Sequence, residues 1–370
     1  MGPMKSWGRL ASLDALRGFA IASMVLVNNP GDWTHLYAPL AHARWNGWTF
    51  TDVVFPMFLF CAGVAMTLSL GRRARDGASR GALFAGAARR AGVVFLVGLA
   101  LNFMPAFDPS TVRIPGVLQR IALCLLIAAP IVIWGGWRAS AVAIVALFAA
   151  YTVPMLFLPV PGADGVTAAG RLEPGNDFGA WIDRTVFGAH LWSQSRTWDP
   201  EGLVSTLPAV ASLLFGVLAG HYVMRAGPAG RQAPTLASAG VGLLVAGLVL
   251  DMIIPINKNL WTPSYAVFMT GWSLLAFALF HAFLDESAPP LRDRARALCL
   301  PLTIFGMNAL FIFAFSGLVA RFLVKEPLYA PIRALPLAPE SASLAFALLF
   351  EAAMFAVAWL MWKKRWFVTA

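Results

Sequence analysis

The chain has 370 residues, of which 59% are hydrophobic and only 12% charged, with a mean hydropathy of +0.70. That balance excludes a soluble globular domain and marks an integral membrane protein. A net charge of +10 would suggest nucleic acid in a soluble protein, but here the Lys and Arg excess reads as membrane topology and contact with anionic lipid, so no nucleic-acid partner is expected.

The N-terminal stretch "MGPMKSWGRLASLDALRGFA" is basic, yet Asp14 and Arg17 interrupt its apolar run and no small-residue cleavage site follows, which argues against a cleaved signal peptide. Apolar windows long enough to cross a bilayer follow at 13–27, 49–70, 87–104, 117–134, 140–158, 206–224, 237–254, 264–284, 297–319 and 343–362. They predict about ten transmembrane helices and an all-α polytopic membrane protein, because backbone amides in hydrocarbon must be satisfied within the segment and the runs are too long for barrel strands. Ten crossings put both termini on one side. With that side cytoplasmic, it holds 18 of the 28 Lys and Arg residues, including Lys5, Arg9, Arg17 and the run from Arg72 to Arg90, so both ends are expected inside. No repeat or linker divides the chain, which reads as one domain over 1–370. The outer segment 159–202, rich in Trp, Phe and His, is too long to be only a tether.

Polar residues gather at the expected outer helix ends. "VLVNNPGDW" carries Asn28 and Asn29; "HARWNGWTFTD" carries His42, Trp45, Asn46 and Asp52; "RIPGVLQR" runs from Arg113 to Arg120. Then come "GAHLW" with His190, "WDPEG" with Asp199 and Glu201, "PINKNLW" with Asn257, Lys258 and Asn259, and "FGMN" with Asn308. Each also has an ordinary reading. Interfacial Trp33, Trp45, Trp48 and Trp261 serve as aromatic-belt anchors, Asn near Pro as turn and cap residues, loop His as solvated groups, and inner Arg as topology determinants. Asn308 and Glu351 lie within spanning windows, where a polar group is expensive and marks a site or an interhelical hydrogen bond. Cys61, Cys124 and Cys299 fall in apolar runs, giving no disulfide framework. Phosphate-loop and zinc signatures are missing, so neither an ATP-driven pump nor a metal enzyme is expected.

"SLDALRG", "HARWNGWTFTDVVFPMFLF", "RIPGVLQR", "DPEG", "PINKNLW" and "GMN" occur in that order, and together they resemble the heparan-α-glucosaminide N-acetyltransferase family, including its bacterial amino-sugar branch. The likeness covers nearly the whole chain. It implies a multi-helix enzyme that carries an acetyl group from cytoplasmic acetyl-CoA to a glucosamine-type amine on the outer side of the cytoplasmic (inner) membrane. It also implies His42 as the active-site histidine, Asn28 (alternatively Asn29) as its partner, and a homodimer. The large lumenal domain and extra leading helix of the animal members have no counterpart here, which argues against heparan itself as acceptor.

Within that frame Asp52 orients His42 or caps the second helix. Arg17, Arg72, Arg73, Arg120 and Asn308 are candidates for holding acetyl-CoA. Trp45, His190, Asp199, Glu201, Asn257, Lys258 and Asn259 are candidates for the sugar, and no metal is expected. The imidazole serves as general base in a ternary complex or as the acetyl acceptor of a covalent intermediate. Two further readings are an O-acyltransferase of outer glycans and a sugar or organic-anion transporter, the latter expecting polar groups near helix centres and paired interrupted helices.

Overall fold

The computed structural model describes residues 10–226 and 231–368; Lys5 and Arg9 of the basic count lie outside them. Long apolar helices dominate: α1 (Ala11–Asn28), α2 (Phe50–Arg75), α3 (Arg80–Phe103), α4 (Val117–Pro130), α5 (Gly136–Phe157), α7 (Leu203–Ala226), α8 (Ala233–Asp251), α9 (Pro263–His281) and α14 (Pro339–Lys363). Shorter ones intervene: α6 (Phe178–Phe187), α10 (Pro289–Leu298), α11 (Leu300–Met307), α12 (Ala309–Phe322) and α13 (Glu326–Arg333). Strand is confined, among the described residues, to the pair β1 (Val160–Pro161) and β2 (Thr167–Ala168) in the outer segment.

Among the described residues, eight helical runs are long and apolar enough to span a membrane, or nine if the bent pair α11 and α12 counts as one. The sequence divided the chain into ten windows, and the difference lies in the 41-residue run Val117–Phe157. Arg120 near its start and Tyr151 near its end both meet the beginning of α7 and the turn before α9. A straight helix would hold those residues about 46 Å apart. The run therefore turns back, at the π-turn 131–135 and Gly136, whose φ of 63° is a conformation glycine adopts without strain. The ninth window departs from expectation more sharply: it breaks at Asn308 with a bend of 80°.

Helix starts are written locally. Ser79 and Thr262 each accept a backbone N–H of their own first turn, and Thr49 with Asp52 forms a capping box. Pro56 has no N–H to give the Asp52 carbonyl; the Tyr265 hydroxyl on α9 donates to that carbonyl instead, at 2.6 Å.

Glycines let several helix pairs touch backbone to backbone. A Cβ on Gly63 would lie 1.9 Å from the Leu213 carbonyl oxygen and one on Gly216 2.0 Å from that of Phe60, so α2 and α7 approach as small-residue membrane helices do. Gly18 and Gly306 fasten α1 to α11 in the same way. Gly63→Ala should lower stability by about 1–3 kcal/mol through overpacking, read as an earlier thermal unfolding midpoint of detergent-purified protein. An unchanged midpoint would mean that the two helices part without cost.

The element contacts give the bundle two chemically distinct ends. One carries Asp52, the starts of α4, α7 and α9, and the folded segment 159–202. The other carries Arg72, Arg73, Asp14 and the described chain ends near Leu10 and Val368. About 30 Å of α2 separates Asp52 from Arg72, the thickness of a hydrocarbon core. Trp33 and Trp48 are exposed as belt residues would be, whereas Trp261, expected as an anchor, is 1% exposed and donates to Ser212 in the core.

Candidate active site

His42 lies not on a helix but on the loop entering α2. Asp52, in the first turn of that helix, holds it: His42 Nδ1 and Asp52 Oδ1 are 2.7 Å apart. The second carboxylate oxygen accepts the backbone N–H groups of Ala43 and Thr49, both at 3.0 Å. Asp52 therefore orients the imidazole and caps the helix at once. The carboxylate side chain has no exposed surface while His42 remains 39% exposed, so the ring presents its other nitrogen outward. An ionised carboxylate only accepts, so Nδ1 carries the proton and Nε2 a free lone pair.

A second loop closes over the first. Gly47 N–H donates to the Ile256 carbonyl at 2.8 Å and the Asn257 amide donates to the Asn46 side-chain oxygen at 3.0 Å. Asn46 clasps the two loops together. Lys258 follows directly, its amine 3.2 Å from His42 Nδ1 and 3.3 Å from Nε2. Near-equal distances set it beside the ring rather than along the Nε2 lone pair.

Beyond Lys258 lies a buried ionic cluster. Arg113 donates to Asp199 through Nε at 2.8 Å and Nη2 at 2.5 Å, and to Glu201 at 2.5 Å. Burial works against the Arg113 charge, but Glu201 and Asp199 outweigh it and hold the guanidinium above its ordinary value. Burial would raise the Glu201 carboxyl, yet Arg113, Arg120 and Lys258 bring it below its usual value. Lys258 moves down because burial, with Arg120 and Arg113, prevails over Asp52 and Glu201.

At the opposite end, a cavity of about 650 Å³ is lined by Arg17, Arg72, Arg73 and Arg90. It continues along one face of α2 through Met66 and Ala62 to Phe58, with Ile121 and Leu125 of α4 as apolar walls. From Arg72 to Phe58 is about 21 Å of helix, and Phe58 stands about 9 Å of rise from Asp52.

The family model described as "Heparan-alpha-glucosaminide N-acetyltransferase, catalytic" matches residues 9–249, from before α1 to near the end of α8. The chain belongs to that family. It is 27% identical over 337 residues to the heparan-alpha-glucosaminide N-acetyltransferase of Homo sapiens, covering 75% of this chain and 49% of that protein. The Mus musculus protein of the same name is 27% identical over 338 residues, with 76% and 50% covered. The chain spans about half the length of these curated relatives.

In this member of the heparan-α-glucosaminide N-acetyltransferase family His42, Asp52 and Lys258 stand together, and Arg17, Arg72 and Arg73 line one cavity. Other expectations are corrected. Arg120, read as a donor ligand, sits at the far end against Gly202, Ser205 and the face of Trp261, because α4 enters the bundle there. Asn308 does not face the donor cavity with a free amide: it donates to the Trp366 carbonyl and accepts from Val368 N–H, pinning the chain segment that forms one cavity wall. Asn257 is fully buried, its oxygen accepting from Leu260 N–H and its amide given to Asn46, so it shapes the loop rather than meeting a sugar.

Asp199 accepts from Arg113, Trp192 N–H and Glu201 N–H, and only the Arg113-bound Glu201 remains near Lys258. His190 ties the outer segment to the Val112 carbonyl, and Trp45 donates to Leu172 and packs on Trp198 instead of anchoring in lipid. Asn259 lines a separate small cavity with Asp177 and Asp183, carboxyls that burial pushes up to about 6 and about 7. Asn28 is exposed in the last turn of α1 and makes no hydrogen bond to His42 among the described residues, while Asn29 is buried on the Val25 carbonyl. Sequence reasoning passed over Arg113, although it stands in the same "RIPGVLQR" motif as Arg120 and the acidic "DPEG" was its natural partner. Arg90 was missed as one of a topological run.

Proposed function

We propose that the protein transfers an acetyl group from acetyl-CoA, entering at the arginine end, to the amine of a glucosamine-type sugar at the His42 end. The observation that carries this reading is the cavity itself. Four arginines line it at one end of α2, apolar residues line it farther along that helix, and beyond Phe58 the same helix leads to His42, an exposed imidazole that a buried carboxylate orients. Its chemistry suits a donor with an anionic nucleotide and a thin, uncharged arm. The basic excess of the arginine end supports a cytoplasmic placement for the donor and a periplasmic one for the sugar.

His42 Nε2 would take the proton of the attacking amine as the C–N bond forms, or accept the acetyl group first and pass it on. Asp52 stabilises the imidazolium of the first route and fixes the tautomer that both need. The Asn28 amide has no protein partner among the described residues, which leaves it available to the thioester oxygen as charge develops there. A transporter would expect paired interrupted helices, whereas the described residues contain one bent pair, α11 and α12.

Purified protein given labelled acetyl-CoA and glucosamine should form N-acetylglucosamine; absence of product would sink the reading. Replacing Arg72 by glutamine should raise the KM for acetyl-CoA about ten- to hundredfold with kcat nearly kept, since one charge-assisted contact contributes about 1.5–3 kcal/mol. An unchanged KM would place the donor elsewhere.

A further inference from the structure

We infer that Lys258 is a self-acetylation site: when no amino sugar occupies the site, the Lys258 side-chain amine takes the acetyl group instead. The inference rests on the acetyl-transfer reading above. A primary amine already stands where an acceptor amine must stand, 3.2 and 3.3 Å from the two nitrogens of His42. It is held there by the loop rather than by chance. Trp261 N–H donates to the Lys258 carbonyl, Asn257 N–H to the Thr262 hydroxyl, and the Asn46–Asn257 clasp fixes that loop on the one bearing His42.

An attacking amine must be neutral. Lys258 is half-buried among Arg113, Arg120, Asp52, Glu201 and His42, and its ammonium lies below its ordinary range because burial outweighs the two carboxylates. The other described lysines lack this setting. Lys325 donates to the Pro30 carbonyl, and Lys363 and Lys364 are exposed at the arginine end.

The chemistry balances without any further reagent. The Lys258 nitrogen adds to the thioester carbonyl, His42 Nε2 takes the amine proton, and the C–S bond breaks. CoA leaves as thiolate and is protonated by the imidazolium, returning His42 to its starting state. The product is an amide, which unlike a thioester or acetyl-imidazole does not pass its acyl group to a sugar. Acetylated Lys258 is uncharged and larger, and it fills the acceptor position. Donor without acceptor thus leads to a chain that has silenced itself.

The test uses purified full-length protein incubated with acetyl-CoA alone, followed by peptide mass spectrometry, with glucosamine acetylation measured on the same preparation. Lys258 should gain one acetyl group about tenfold or more faster than Lys363 and Lys364, as expected for an amine held against the reacting centre. Saturating glucosamine should slow the marking of wild-type protein, and His42→Ala should reduce it to the rate of the exposed lysines. If glucosamine is acetylated while Lys258 stays unmarked, is marked no faster than the exposed lysines, or is unaffected by glucosamine, the self-acetylation idea fails and the enzyme reading stands. If neither glucosamine nor Lys258 is acetylated, the enzyme reading fails as well.

Discussion

His42→Ala should lower acetyl transfer to glucosamine by about 10²–10⁴-fold, the range over which positioned acid–base catalysis contributes. The loss should appear in kcat, with the KM for acetyl-CoA close to wild type, because the donor arginines lie at the other end of α2. Stability should hardly change: the ring is 39% exposed, and its only carboxylate contact is with Asp52, which keeps its two backbone donors. The measurement is a steady-state assay of wild type and variant side by side, with thermal unfolding as a check on folding. Equal rates would remove His42 from the reaction. A wild-type profile that acquires label from acetyl-CoA alone at His42, absent from the variant, would select the covalent route.

Arg113→Met should cost about 3–5 kcal/mol of stability, the usual consequence of removing one partner from a buried ion pair. Two carboxylates lose their counter-charge together, Asp199 with no exposed side-chain surface and Glu201 with 8%. Methionine keeps the apolar stem of the side chain while removing the guanidinium, so the charge and its hydrogen bonds are chiefly under test. The unfolding midpoint should fall at neutral pH and recover in part as pH is lowered. The sign follows from Glu201: its carboxyl sits below its ordinary value in the fold, so its ion pair stabilises the folded state above that ordinary value and loses this contribution as pH falls. The variant has lost that contribution already, so the gap between the two proteins should narrow in acid. A gap that stays constant would mean that the cluster is held by packing and not by charge.

Much of the fold was legible because hydrophobic length is a local signal. The apolar windows fall on the observed helices, and "FTD" after Thr49 announces its own capping box. What was not legible depends on partners distant in sequence. Nothing around Asn308 says that the helix bends there, since its amide is bound by Trp366 and Val368, dozens of residues on. Arg120 and Arg113 sit in one motif, but only the reversal at Gly136 and the fold of 159–202 decide that both stay at the His42 end. Asn46 carries no local sign of its clasp because its partner, Asn257, is 211 residues away. The His42–Asp52 pair was accessible for the opposite reason: ten residues separate them, and one of them starts a helix.

Asp52 gives one oxygen to His42 and the other to the backbone that begins α2. The same carboxylate is thus the first rivet of a membrane helix and the bearing on which the imidazole turns. Heat or acid that frays this helix end should therefore silence the site before the bundle melts. A substitution that keeps one duty and drops the other is hard to find: asparagine still offers an oxygen but misaligns the ring's proton, and glutamate overshoots the cap. Tolerance to change at this position should be narrower than at any residue that serves only the fold or only the chemistry.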